Sequence, residues 1–143
     1  MYYKHNTDYG RQVFGVVSFE SLVFKDGIPI YQQIVWYIKE GIASGQINNG
    51  DELPSRRVLS ALLSVNPNTI QKAYRLIEDE GLIESHTGAK SCVSVSGERI
   101  NQLRAEMLNI RVTEIVAGFK QMGVNKEEAL ALIESMWEAN GNE

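Results

Sequence analysis

A chain of 143 residues with 43% hydrophobic and 22% charged content suits one ordinary domain, or a small domain with an appendage, and excludes disorder throughout. A formal net charge of −4 excludes nucleic-acid binding by bulk electrostatics, so any such contact must come from a local cluster. One cysteine and two histidines exclude an internal disulfide and give no metal-ligand spacing; without a Ser/His/Asp set, paired carboxylate motif or phosphate loop, neither an enzyme nor a cofactor is expected.

Residues 1–24 read as an N-terminal extension. The start MYYKHNTDYG lacks a charged n-region and an apolar core, and no apolar run of about 18 residues follows, so neither a signal peptide nor a membrane span is indicated and a cytoplasmic location is expected. Tyr2, Tyr3 and Tyr9 lie in a polar start expected to fray. Val13, Phe14, Val16, Val17, Phe19, Leu22, Val23 and Phe24 suggest one or two short strands packed on their own domain. Asp26 and Gly27 make a turn, and Pro29 opens a helix to Ser44 with Gly45 as its stop. Ile30, Ile34, Ile38 and Ile42 recur every four residues, with Tyr31 and Val35 beside them, as the face that backs the next helices. Trp36 falls nearly opposite and is expected to be covered by the C-terminal helices or by their copy in a partner.

From Leu53 to Ile83 the pattern is two short helices joined by a tight turn. Ser55 caps the first, whose Val58, Leu59, Leu62 and Leu63 share a face, and the helix stops near Ser64. Asn66 caps the second, Pro67 takes its first position, and it runs to about Glu80 before Gly81. At about 100° per residue, Ile70, Ala73, Tyr74 and Ile77 form an apolar back, and Asn68, Gln71, Lys72 and Arg75 a polar front. Such a helix, entered through a turn from another, is how a recognition helix is offered to a DNA major groove; the plainer alternative is an αα-hairpin with a solvated face. Arg56 and Arg57 sit in the first turn of the first helix, against the macrodipole, and a DNA phosphate there would account for them. Between residues 29 and 97 the acids Glu40, Asp51, Glu52, Glu78, Asp79, Glu80 and Glu84 lie largely away from the front of the second helix. LIESHTGAKSCVSVS then reads as two short strands around a turn at Thr87 and Gly88, with Val93 and Val95 inward and Cys92 a small strand hydrophobe.

Beyond Glu98 a long helix carries Leu108, Val112, Ile115, Phe119 and Met122 at alternating four and three spacing and ends at Gly123. Asn125, with Glu128 in the capping-box position, starts a last helix whose Ala129, Leu130, Ile133, Met136 and Trp137 are its apolar side. Two helices of this length cannot enclose a core, so they must pack on the first domain, on a second copy, or on both.

PIYQQI (Pro29 to Ile34), the run GDELPSRRVLSALLSVNPNTIQKAYRLIEDEGLIES (Gly50 to Ser85) and Gly88 resemble the winged helix-turn-helix domain of the GntR family of bacterial transcription regulators, over close to half the chain. VNPNT followed by a short helical tail is most similar to the YtrA-like subfamily. The resemblance implies a mainly α fold with a small β wing: a winged helix-turn-helix domain over residues 25–97, then a two-helix dimerisation segment over 98–143. It implies double-stranded DNA as partner, a homodimer on a pseudo-palindromic operator, and repression. DNA-binding residues are then expected at Arg56, Arg57, Asn66, Pro67, Asn68, Thr69, Gln71, Lys72 and Arg75, with wing contacts at Thr87, Gly88 and Lys90. Leu108, Val112, Ile115, Phe119, Met122, Ile133 and Trp137 are expected to hold the dimer. The arginine matching Arg57 contacts DNA in the family, whereas an acid is common where this chain has Arg56. The wing departs further: Ser85 and Ala89 stand where cations are frequent, and Lys90 where a second glycine is usual. Any small-molecule effector would use a pocket between the C-terminal helices and the first domain, near Trp36, Phe119, Met136 and Trp137. The competing class is a winged-helix module that binds protein through the acidic tail and Trp36.

Overall fold

A computed structural model describes residues 6–8, 11–13, 15–86 and 90–141, with the side chains of 6–8 and 11–13 outside that description. In chain order the elements are β1 (Asn6–Asp8), β2 (Arg11–Val13), α1 (Ile30–Ala43), β3 (Glu52–Leu53), α2 (Arg56–Leu63), α3 (Pro67–Asp79), β4 (Ile83–His86), β5 (Lys90–Val93), α4 (Gly97–Gln121) and α5 (Lys126–Asn140). The chain forms two compact units, Met1–Arg104 and Ala105–Glu143. The mainly helical fold with a small β wing is the one expected.

Periodicity explains the core of the first unit. Ile34, Ile38 and Ile42 of α1 are buried, as are Ile70, Ala73, Tyr74 and Ile77 of α3, and these two helices pack on each other. Burying an isoleucine or tyrosine side chain stabilises by roughly 1.5–3 kcal/mol, so the pairing is a large contribution to the unit's stability. Ile30, the first of the four expected on that face, stays exposed at the helix start. The sheet has the order β3-β5-β4, antiparallel throughout, with Glu52 opposite Cys92 and Ile83 opposite Val93. Ser91 and Val93 point inward along β5 while Cys92 lies between them on the other face, half-buried. Val95, expected inward, is only half-buried because the strand has ended; its N–H donates to Asn49 Oδ1 at 2.9 Å.

The N-terminal extension differs from its sequence reading. Strand pairing falls on the polar start, where β1 and β2 form a hairpin with Asn6 opposite Val13. Over residues 15–24 the strand content is a single parallel bridge, Val16 to Glu52. Val17 and Phe19 are nonetheless buried and Val16 and Glu20 exposed, so the alternation is real but finds too short a partner to build a ladder. The segment is pinned to the domain by Val17 N–H to Glu52 O at 2.8 Å, Glu52 N–H to Gly15 O at 2.9 Å and Gly15 N–H to Asp51 Oδ1 at 3.2 Å. Tyr37 Oη donates to Ser18 O at 2.9 Å, and its ring lies 5.2 Å from that of Phe19. Tyr2, Tyr3, Tyr9 and Phe14 lie outside the residues or side chains described.

Of the four apolar residues that share a face of α2, only Leu59 is buried. Val58 is 50% and Leu62 68% exposed, and both line an open groove of about 510 Å³ between α2 and residues 16–20. An eight-residue helix has one neighbour deep enough to cover a narrow stripe, and here that stripe is a single leucine wide.

Leu103, in the early turns of α4, is fully buried, and Arg104 Nη1 donates to Ala43 O at 3.4 Å; the first unit therefore runs past the start of that helix at Gly97. In the second unit α4 ends before Gly123, whose φ of 71° is a left-handed helix stop. Asn125 Oδ1 accepts from Glu128 N at 2.9 Å as the cap of α5. No residue of α5 is buried.

Candidate nucleic-acid interface

The turn between α2 and α3 is built from small polar residues. Ser55 Oγ accepts from Val58 N at 3.2 Å and starts α2. Ser64 ends it in the left-handed region at φ 54°, and Ser60 donates its hydroxyl proton to Val65 O across the turn. Asn66 Oδ1 accepts from Asn68 N at 2.8 Å, and Pro67 follows at the first position of α3. Tyr74 Oη donates to Pro54 O at 2.7 Å, tying the middle of α3 to the entry of α2. The angle between the two helices is thus held from both ends.

This arrangement leaves Pro67, Asn68, Gln71, Lys72 and Arg75 exposed along one side of α3, with Thr69 half-buried. Asn66 is exposed too, but its side-chain oxygen is occupied by the cap. Two cations have aromatic partners. Lys72 Nζ sits 3.9 Å from the ring centroid of Tyr31 on α1, and Arg56 Cζ lies 5.7 Å from that of Tyr74. Arg56 is half-buried, with its Nε enclosed and without a hydrogen-bond partner, whereas Arg57 is exposed. The neighbouring arginines, alike in sequence, therefore occupy different settings.

Glu80, which caps the far end of α3, is engaged by cations of two other helices. Glu80 Oε2 lies 2.8 Å from Lys39 Nζ on α1 and 3.9 Å from Arg99 Nη2 on α4. On the wing, Lys90 is exposed with its Nζ 3.9 Å from Glu52 Oε1, and Thr87 and Gly88 lie outside the described residues. Trp36 is half-buried on α1, its Nε1 donating to Glu40 Oε1 at 2.7 Å. Burial, then Glu52 and Glu84, raises the Cys92 thiol pKa against the opposing pull of Lys90, so the thiol stays protonated at neutral pH. Among the described residues there is no cluster of metal ligands and no helix long and apolar enough to cross a membrane.

Residues 30–93 match the gntR family of bacterial regulatory proteins. The HTH-type transcriptional regulator YhcF of Bacillus subtilis is 31% identical over 115 residues, covering 80% of this chain and 95% of that protein. The chain belongs to the GntR family. The HTH-type transcriptional repressor YtrA of Bacillus subtilis is 32% identical over 105 residues, 73% of this chain and 81% of YtrA, in keeping with the YtrA-like resemblance. A GntR family transcriptional regulator from Listeria monocytogenes has the same fold, with a TM-score of 0.71 at 35% identity over 78% of this chain and 98% of its own. GntR proteins are DNA-binding transcription regulators and not enzymes, so the exposed side of α3 is the face to test against DNA.

The sequence predicts the front of α3 and the two arginines as DNA-binding residues and places Tyr31 on the packing face of α1, where the structure sets its ring against Lys72. Nothing in the sequence links Tyr31 to Lys72; only the packing of α1 on α3 brings them together. In the second unit, Leu108, Val112, Ile115, Met122, Ile133 and Trp137 are exposed and Phe119 half-buried, with Trp137 at 78% and Met122 at 82%.

Proposed function

We propose that the protein is a homodimeric repressor that places two copies of α3 in successive major grooves of a pseudo-palindromic operator. The observation that carries this reading is the exposed front of α3, where amides and cations stand together while Glu80 is engaged by Lys39 and Arg99. Asn68 and Gln71 offer the amide pair whose bidentate partner is adenine, and Pro67 and Gln71 occupy places where many GntR proteins have guanine-reading arginines. Half-sites rich in A·T follow from this. Thr69, Arg75 and Lys90 supply further contacts at the edge of the groove. Arg57 holds a phosphate at the start of α2, and Arg56, braced by Tyr74, supports it.

Dimerisation is assigned to Leu108, Val112, Ile115, Phe119 and Met122 of α4 with Ile133 and Trp137 of α5. Exposed apolar surface on this scale marks an association site, and a second copy of the same chain is the partner that gives an operator two half-sites. Joining two sites raises affinity by a factor of about 10²–10⁴ without new contacts. Repression is taken from the relative named as a transcriptional repressor. The test is a titration of operator DNA at several salt concentrations. Binding that weakens steeply and linearly in log–log form supports the reading, and salt-independent binding opposes it.

A further inference from the structure

We infer that Tyr31 is a DNA-backbone residue paired with Lys72: its ring holds the Lys72 ammonium on the flank of α3, and its hydroxyl donates to the same phosphate. Lys72 is thereby committed to the backbone and withdrawn from base reading. The inference rests on the proposal that α3 enters the major groove.

The geometry has three parts. Lys72 Nζ lies 3.9 Å from the Tyr31 ring centroid, close contact for an ammonium on an aromatic face. The ring engages one side of the ammonium and leaves N–H donors directed outward, so the contact does not compete with an anion. The Tyr31 hydroxyl accepts from Gln32 Nε2 at 3.1 Å, and its own proton remains to be donated. Tyr31 also stands in the first turn of α1, so to reach it Lys72 leans sideways off α3 and not forward along its front. An α-helix with side chains is about 10–12 Å across and the major groove about 12 Å wide. A side chain leaning off the flank of a helix that fills the groove therefore meets the groove wall, which is phosphate and sugar.

The experiment measures binding of the full-length protein to a selected operator, to versions with each half-site base pair replaced in turn, and over a salt series. The variants are Lys72→Ala, Tyr31→Phe, Tyr31→Leu and the Lys72→Ala/Tyr31→Leu double. Lys72→Ala should weaken all sequences by the same factor, leave base preference unchanged and lower the salt slope by about one. Tyr31→Phe keeps the ring and should lose about two- to fivefold from the hydroxyl alone. Tyr31→Leu should lose more than Tyr31→Phe, and that excess should vanish when Lys72 is already alanine. A change of preferred base on Lys72→Ala overturns the inference, as does multiplicative behaviour of the two substitutions. Tyr31→Phe and Lys72→Ala alter partly exposed side chains, so they decide the matter even if Tyr31→Leu fails to fold. A wild-type protein without salt-dependent DNA binding would defeat the underlying functional reading; wild-type binding with the wrong variant pattern defeats this inference alone.

Discussion

Arg56 and Arg57 follow one another, yet their surroundings differ. The Arg57 side chain is exposed at the start of α2, so Arg57→Ala should leave stability within about 0.5 kcal/mol of wild type. The same change should weaken every operator alike and lower the salt slope by about one. A shift in base preference in a binding-site selection would contradict it. Arg56 lies over Tyr74, whose burial pushes its phenol pKa well up; the Arg56 charge only partly opposes this. An acid whose folded pKa lies above its unfolded value of about 10 keeps its full stability contribution below that value and loses it as pH rises. The first unit should therefore lose stability above about pH 10, and Tyr74→Phe should flatten that alkaline limb. Tyr74→Phe should also cost about 1 kcal/mol at neutral pH, since the Pro54 carbonyl loses its donor. Thermal melts at pH 7 and pH 10.5 measure both effects.

Among the elements, α3 was the most legible. Asn66, Pro67 and the spacing of Ile70, Ala73, Tyr74 and Ile77 act locally, and they fix start, direction and buried face without help from the rest of the chain. Val58 and Leu62 show where that logic stops. Periodicity gives the face a helix can bury, but how much of it is covered depends on a neighbour the pattern does not contain. The hairpin of β1 and β2 is not legible in the sequence because all its residues but Val13 are polar, and backbone pairing alone leaves no apolar alternation to read. Ser64 ends α2, as the sequence predicts, and its backbone there is left-handed at φ 54°. Ser64→Val, β-branched at that φ, should destabilise by about 1–2 kcal/mol and weaken DNA binding beyond what lost stability explains, because the α2–α3 turn must reopen. Ser64→Gly should be tolerated. Equilibrium denaturation paired with operator titration separates the two effects.

At the scale of the whole molecule, the helix-turn-helix unit is followed by a segment whose apolar side chains lie in the open. Val112 and Ile115 are exposed in the single chain, so Val112→Glu/Ile115→Glu should leave helix content unchanged and produce a monomer in sedimentation. That monomer should still bind a half-site and should lose about 10²-fold or more on a full operator. The apolar stripe of α4 could be read from the sequence as spacing, but what covers it could not, since an apolar face carries no label for its partner. The family, by contrast, was legible over Pro29 to Gly88 because local caps, turn residues and periodicity all agree there. The central claim is tested most directly by selecting binding sites for the full-length protein from a random DNA pool. The account predicts a two-fold symmetric motif whose A·T-rich half-sites lie one helical turn, about 10 base pairs, or a multiple of it apart and depend on Gln71. Absence of enrichment, or an asymmetric guanine-dominated motif unchanged by Gln71→Ala, would contradict it.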